Sequence, residues 1–231
     1  MRNLAIIPAR SGSKGLKDKN IRPLNNIPLM AYSIQAALLS KMFAVVMVST
    51  DSERYAEIGK RYGAEVPFLR SSFTSSDTAS SWDAVKEVVS NYKKMGMDFD
   101  TISLLQPTSP LRTSEDIQKA FDLFEEKKAS SVISVCEVEH SPLWCSTLQE
   151  DLSMINFAQN SRPNSNRQML ETYYRLNGAI YLLRTEILDN VESLYKKNCF
   201  AYVMDRKHSI DIDCQDDFRY TEFLIKEGGL S

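Results

Sequence analysis

The sequence predicts an α/β fold, a mostly parallel sheet with helices on both faces. Three observations carry that prediction. Short apolar runs recur along the chain, helical periodicities fill the intervals, and the runs end at polar turns. A strand covered on both faces has no solvent side, so it reads as an unbroken apolar run. Alternation of such runs with helical patterns implies parallel strands joined by crossover helices.

The first run is Leu-Ala-Ile-Ile at 4–7, stopped by Pro8. Leu29, Met30, Ile34, Ala37 and Leu38 then recur at the spacing of one helix face. A second strand is read at 43–48 (FAVVMV), ending at Ser49-Thr50-Asp51. Ala56, Ile58 and Tyr62 mark the helix after it, and Ala84, Val85, Val88, Val89 and Tyr92 mark another. Asp77 or Thr78 is placed to cap that second helix. Strands at 102–105 and 132–135 flank a helix carrying Ile117, Ala120, Phe121 and Phe124. The rhythm breaks at 137–176, which holds Pro142, Pro163, many Ser and Asn, and weak periodicity. A connection that long is usually functional or part of an assembly. It reads as a loop-and-hairpin excursion from a core made of 1–136 and 177–231. Strands at 179–183 and 201–204, a helix at 218–226 and a frayed end at Gly228-Gly229 complete the pattern.

The bulk properties narrow the class. The chain has 231 residues, 43% apolar and 25% charged, as in ordinary globular proteins. A net charge of -2 and a pI near 5.8 weigh against a duplex nucleic-acid partner, which calls for a basic footprint. The four cysteines are irregularly spaced, which suits reduced thiols better than a disulfide framework. The apolar stretch at 4–7 is too short for a signal peptide. No stretch approaches the roughly 20 apolar residues of a membrane span. These readings place the protein in the cytoplasm, with no membrane or nucleic-acid partner.

Five clusters carry chemistry. The turn after the first strand runs Pro8-Ala9-Arg10-Ser11-Gly12-Ser13-Lys14-Gly15-Leu16-Lys17-Asp18-Lys19-Asn20. Five basic residues and one acidic lie between Arg10 and Arg22. Glycines that let backbone N–H groups approach closely, with hydroxyls beside them, make an anion nest. It sits where open α/β sheets bind ligands. The glycine spacing is neither a Walker loop nor a dinucleotide fingerprint; the competing reading is a solvated basic loop. In Ser209-Ile210-Asp211-Ile212-Asp213, strand alternation would put both carboxylates on one face, about 7 Å apart at Cα. Two carboxylates so placed suit a hard cation completed by water and phosphate, against a plain amphipathic edge strand. Leu105-Gln106-Pro107-Thr108-Ser109-Pro110-Leu111-Arg112 is a proline-stiffened turn presenting an amide. Arg70 and the Ser/Thr-rich stretch 75–81 lead into a helix N-terminus, itself a polar-ligand site. Arg167, Tyr173, Tyr174 and Arg175 lie near Asn177-Gly178, and arginine can fork onto a carboxylate. His140 and His208, the only histidines, read as structural. No side chain is an obvious general base.

These blocks stand in a recognisable order: IPARSGSKGLKDKNI at 7–21, SDTASS at 76–81, LLQPTSPLR at 104–112, NGAIY at 177–181 and SIDID at 209–213. The set resembles the CMP-sialic acid synthetases over nearly the whole chain. The cytidylyltransferases for legionaminic, pseudaminic and 3-deoxy-octulosonic acids look similar in the first block. The resemblance implies a Rossmann-like nucleotidyltransferase fold with a small dimerisation lobe from 137–176, hence a homodimer. It implies that Arg10, Ser13 and Lys14 hold the CTP phosphates, with Ala9, Lys19 and Asn20 completing the CTP pocket and Arg70 and Ser81 near the cytosine and ribose. Gln106, Arg167, Thr172 and Arg175 would form the sugar site. Asp211 and Asp213 would hold Mg²⁺. Arg10, Lys14, Lys19 and Asp211 would carry the catalysis. The implied reaction transfers CMP from CTP to the anomeric hydroxyl of a nine-carbon acidic sugar, N-acetylneuraminic acid favoured. Thr172 stands where the family shows Gln, and Glu171 where it shows Pro; both bear on which acid sugar is taken. A sugar-1-phosphate nucleotidyltransferase and a non-catalytic nucleotide-binding module are the alternatives.

Overall fold

The computed structural model describes residues 1–12, 15–155, 157, 170–196 and 198–228. In chain order the elements are β1 (Asn3–Pro8), the short pair β2 (Pro23–Leu24) and β3 (Ile27–Pro28), α1 (Leu29–Ser40), β4 (Val45–Ser49), α2 (Glu53–Arg61), α3 (Ser81–Lys94) and β5 (Thr101–Leu104). Then come α4 (Ser114–Glu126), β6 (Ser131–Glu137), β7 (Tyr174–Arg184), β8 (Cys199–Val203) and α5 (Gln215–Lys226).

The main sheet has six strands in the order β4-β1-β5-β7-β6-β8. β1 pairs in parallel with β4 and β5, and β8 with β6. β7 runs against both its neighbours. The alternation of β1 explains its unbroken apolar run. Ala5 and Ile7 join one core with Met30 and Ile34 of α1 and Phe121 and Phe124 of α4. Leu4 and Ile6 join the other with Val85, Val88 and Tyr92 of α3. Tyr92 meets Phe68 and Phe99 edge-to-face at 5.5 and 5.3 Å. Such pairs add about 0.5–1.5 kcal/mol each beyond their burial.

Local chemistry sets where the helices start. Ser80, not Asp77 or Thr78, caps α3, in a reciprocal box with Asp83. Thr113 and Asp116 make the same box for α4. Each pair satisfies backbone N–H groups that a helix start leaves without partners. The β2–β3 pair is joined by Asn25 and Asn26 at φ 47° and 67°, a left-handed conformation that Asn tolerates. It is too short for hydrophobic periodicity to reveal. The expected excursion sits between β6 and β7, whose ladder reaches Glu137 opposite Tyr174. β7 therefore starts at Tyr174, inside the 137–176 interval. A 3-10 turn at Pro142–Trp144 follows β6.

Residues 209–213 do not form the strand the sequence suggested. The place beside β5 is taken by β7, and the acidic segment runs extended across the turn after β5. The Ile212 N–H donates to the Thr108 carbonyl at 2.8 Å. Alternation survives in part: Ile212 is buried and Asp213 exposed. All four cysteines are free thiols. Among the described residues, no helix is long and apolar enough to cross a membrane.

Candidate active site

The turns after β1 and β5, the approach to α3 and the segment after β8 enclose a cavity of about 350 Å³. Arg10, Lys19 and Asn20 reach it from the first turn, and Arg70 and Ser81 from the approach to α3. Gln106 enters from the turn after β5, Asp211 and Asp213 from the segment after β8. Chain positions more than 200 residues apart thus meet at the carboxyl ends of β1 and β5, where such sheets bind ligands.

Asp51 shapes the first turn by accepting from both the Ser11 N–H at 2.8 Å and the Ser11 hydroxyl at 2.9 Å. Asn20 donates to the Arg10 carbonyl at 3.0 Å. Arg10 itself braces the facing wall, donating to the Ser76 carbonyl at 2.9 Å and pairing with Asp77 at 3.0 Å. Gly15 is needed for close approach: a Cβ there would lie 2.8 Å from the Asp213 carbonyl oxygen. Ala9 lies buried beneath the turn, its N–H on the Ser49 carbonyl. Ser13 and Lys14 fall outside the described residues.

The acidic wall is held from four sides. Lys19 donates to the Ile212 carbonyl at 2.7 Å and to Asp213 at 3.3 Å. Arg175 donates to the Ser209 carbonyl at 3.2 Å. Asn177 donates to the Ser209 hydroxyl at 2.9 Å, and Thr108 accepts from Ile212. Burial pushes the Asp211 carboxyl above the ordinary range; Asp213 adds to this, while Thr108, Lys19 and Arg175 oppose it. Asp211 Oδ1 is buried with no hydrogen-bond partner. A lone buried carboxylate oxygen beside a second carboxylate is a fit for a hard cation. Among the described residues no three His, Cys, Asp or Glu side chains gather into a cage. Two oxygen donors suit Mg²⁺, which keeps waters and substrate phosphates in its shell.

The four expected sugar residues separate. Gln106 lines the cavity, its side chain resting on Gly178. Arg175 stands behind Ser209, close enough to influence Asp211 electrostatically. Thr172 lines a smaller hollow of about 80 Å³ with Glu137, Glu139 and Glu171. Arg167 lies outside the described residues. The sequence alone gave no role to Asp51, to Thr108 or to Thr74, which also lines the cavity. Thr108 sits within a block the sequence singled out; the other two carry no local signal.

The cytidylyltransferase family profile matches residues 4–205. An N-acylneuraminate cytidylyltransferase of Escherichia coli is 39% identical over 216 residues, covering 93% of this chain and 50% of that protein. The chain thus spans about half the length of that relative. A CMP-N,N'-diacetyllegionaminic acid synthase of Legionella pneumophila is 36% identical over 233 residues, covering 98% and 97% of the two chains. The structure of a CMP:2-keto-3-deoxy-manno-octonic acid synthetase complexed with CTP superposes with a TM-score of 0.73 at 16% identity, covering 99% and 100%. At that identity the likeness shows a shared fold.

Proposed function

Because this chain belongs to the cytidylyltransferase family, we propose that it transfers CMP from CTP to the anomeric hydroxyl of a sialic-type nonulosonic acid, with N-acetylneuraminic acid the favoured acceptor. The observation that carries this reading is the single cavity in which a cationic turn faces two carboxylates. The sugar hydroxyl gives up its proton to solvent as its oxygen attacks the α-phosphorus, the bond from that phosphorus to the oxygen bridging to the β-phosphate breaks, and pyrophosphate leaves. In such transfers positioning and charge neutralisation carry the catalysis. Arg10 would hold the phosphates and steady the departing pyrophosphate, with Ser13 and Lys14 completing that cradle. Lys19 would keep the acidic segment at its distance from the turn, and Asn20 would lock the turn itself. Arg70 and Ser81 would receive the nucleoside. Gln106 would orient the acceptor, with Arg175, Thr172 and Arg167 extending the sugar side. Asp211 and Asp213 would hold Mg²⁺. When bound, the ion supplies charge neutralisation at the α-phosphate.

A second reading concerns the acceptor alone. Thr172 and Glu171 line their own hollow, and the Legionella relative matches end to end. Legionaminic or pseudaminic acid would then replace N-acetylneuraminic acid within the same reaction. Pyrophosphate release is to be measured with CTP, UTP, ATP and GTP against a panel of these acids in Mg²⁺. Strong preference for CTP is expected, and the acid turned over fastest decides between the two readings. Equal turnover of UTP and CTP would sink the cytidylyl assignment.

A further inference from the structure

The antiparallel ladder between β6 and β7 slips at one place. Ile133 faces Tyr181 and Val135 faces Leu176, so the one residue Ser134 on β6 stands against four on β7, 177–180. Extra residues in one strand bend it locally and re-aim its side chains, and such bulges cluster beside active sites. Here Gly178 takes φ 74°, and a Cβ on it would fall 2.5 Å from Gln106 Oε1. The bulge therefore brings backbone up against the Gln106 amide.

A buried side chain fills the bulge. Asn177 Oδ1 accepts from the Ser134 hydroxyl at 2.6 Å and from the Ala179 N–H at 3.2 Å. Ser134 Oγ in turn accepts from the Ile180 N–H at 2.7 Å. Asn177 Nδ2 points the other way, to Ser209 Oγ at 2.9 Å, and Ser209 donates onward to the Asp205 carbonyl at 2.7 Å. Ser134, Asn177 and Ser209 are each at most 1% exposed. At the far end of the bulge the buried Arg112 donates to the carbonyls of Ala179 and Gln106, at 2.8 and 3.3 Å. A planar amide that accepts on one edge and donates on the other can join two segments that have no ladder between them.

We infer that Asn177 is a positioning residue: it locks the β7 bulge to the segment bearing Asp211, and so fixes the Asp211 carboxylate relative to Gln106. Asn177 is buried and does not line the cavity. It acts through Ser209, two residues before Asp211. This inference rests on the proposed reaction for its kinetic arm only.

The test uses the full chain, with Asn177→Ala, Ser209→Ala and the double variant. Ser209→Ala removes one oxygen and keeps the packing, so it remains informative where Asn177→Ala fails to fold. Amide hydrogen exchange at 210–213 is expected to quicken roughly tenfold or more in either variant, as the buried Asn177–Ser209 hydrogen bond is lost in both, with β1 unchanged. With CTP and an acid sugar, kcat is expected to fall about 10- to 100-fold, as when outer partners of metal ligands are removed. The KM for CTP should hold. The double variant should lose less than the sum of the two single losses, because the Asn177–Ser209 link is broken by either change. Unchanged exchange at 210–213 overturns the inference. So does faster exchange spread evenly over the sheet, or wild-type kcat in a folded Ser209→Ala. If the wild-type chain releases no pyrophosphate with any acid, the proposed reaction fails and the exchange arm alone decides the coupling.

Discussion

In the proposed reaction Asp211 would serve function against stability. The residue is half-buried, its carboxyl is raised in pKa chiefly by that burial, and one of its oxygens is buried without a partner. A buried carboxylate oxygen with no partner costs stability, so asparagine, of the same shape and uncharged, should relieve the fold. Asp211→Asn is therefore expected to melt no lower than wild type while losing about 100-fold or more in turnover, since removing even an outer partner of a metal ligand costs roughly 10–100-fold. Calorimetry and pyrophosphate release on the same sample check both halves. A lowered melting point with turnover within a few-fold of wild type would assign Asp211 to the scaffold. Residues of this kind were legible because each stands in a block whose chemistry is odd for its place. Arg10, Lys19 and Asn20 crowd a strand end, Gln106 leads into two prolines, and Asp211 and Asp213 alternate with isoleucines. Asp51 was not legible. A lone aspartate after a strand looks like any surface turn, and Ser11, which it holds, lies 40 residues earlier.

Elements were legible in proportion to how much apolar surface they bury. The strands and helices that cover the two cores announce themselves by runs and periodicity. The direction of β7, its bulge and the acidic segment do not, because pairing partners and register depend on contacts distant in sequence. Helix starts are governed by short-range chemistry, and α3 offers a test. Ser80 accepts from the Asp83 N–H at 3.1 Å, and Asp83 accepts from the Ser80 N–H and hydroxyl, both at 2.8 Å. Losing such a cap costs about 0.5–2 kcal/mol. In a chain of this size about 1 kcal/mol moves Tm by roughly 2–4 °C. Ser80→Ala should show that drop near neutral pH, and also raise the KM for CTP, since Ser80 and Ser81 line the cavity. The Ser80 hydrogen bonds hold the Asp83 carboxyl below its ordinary 3.8. A depressed carboxylate stabilises above its unfolded value and loses that contribution as pH falls through its folded one. The gap in Tm between the two proteins should thus narrow in acid below about pH 3.8, and a gap that widens there would contradict the cap's role.

At the scale of the molecule, the surface points to assembly. The connection between β6 and β7 exposes large apolar side chains close together in sequence, Leu148 at 54%, Leu152 at 72%, Met154 at 58% and Ile155 at 85%. Tyr174 and Leu176 at the start of β7 and Val203 on β8 are about half exposed as well. Contiguous exposed apolar groups on a folded chain mark interaction sites, and aromatics are enriched in interface cores. β8 ends the sheet, leaving an edge that proteins ordinarily cover or protect. The sequence raised the same expectation from the length and irregularity of 137–176. We propose a homodimer built on this segment, with an expected mass by light scattering of twice the 26.3 kDa chain at micromolar concentration. Placing a charge in the apolar stretch separates assembly from folding. Leu152→Asp with Ile155→Asp changes residues that pack on little in the protomer, so Tm should fall only as far as dimerisation had raised it. The expected outcome is a monomer whose melting point no longer depends on protein concentration. A wild-type chain that is monomeric and fully active would refute the dimer. So would a double variant that keeps twice the chain mass, because two carboxylates per protomer could not remain buried in an apolar contact without partners.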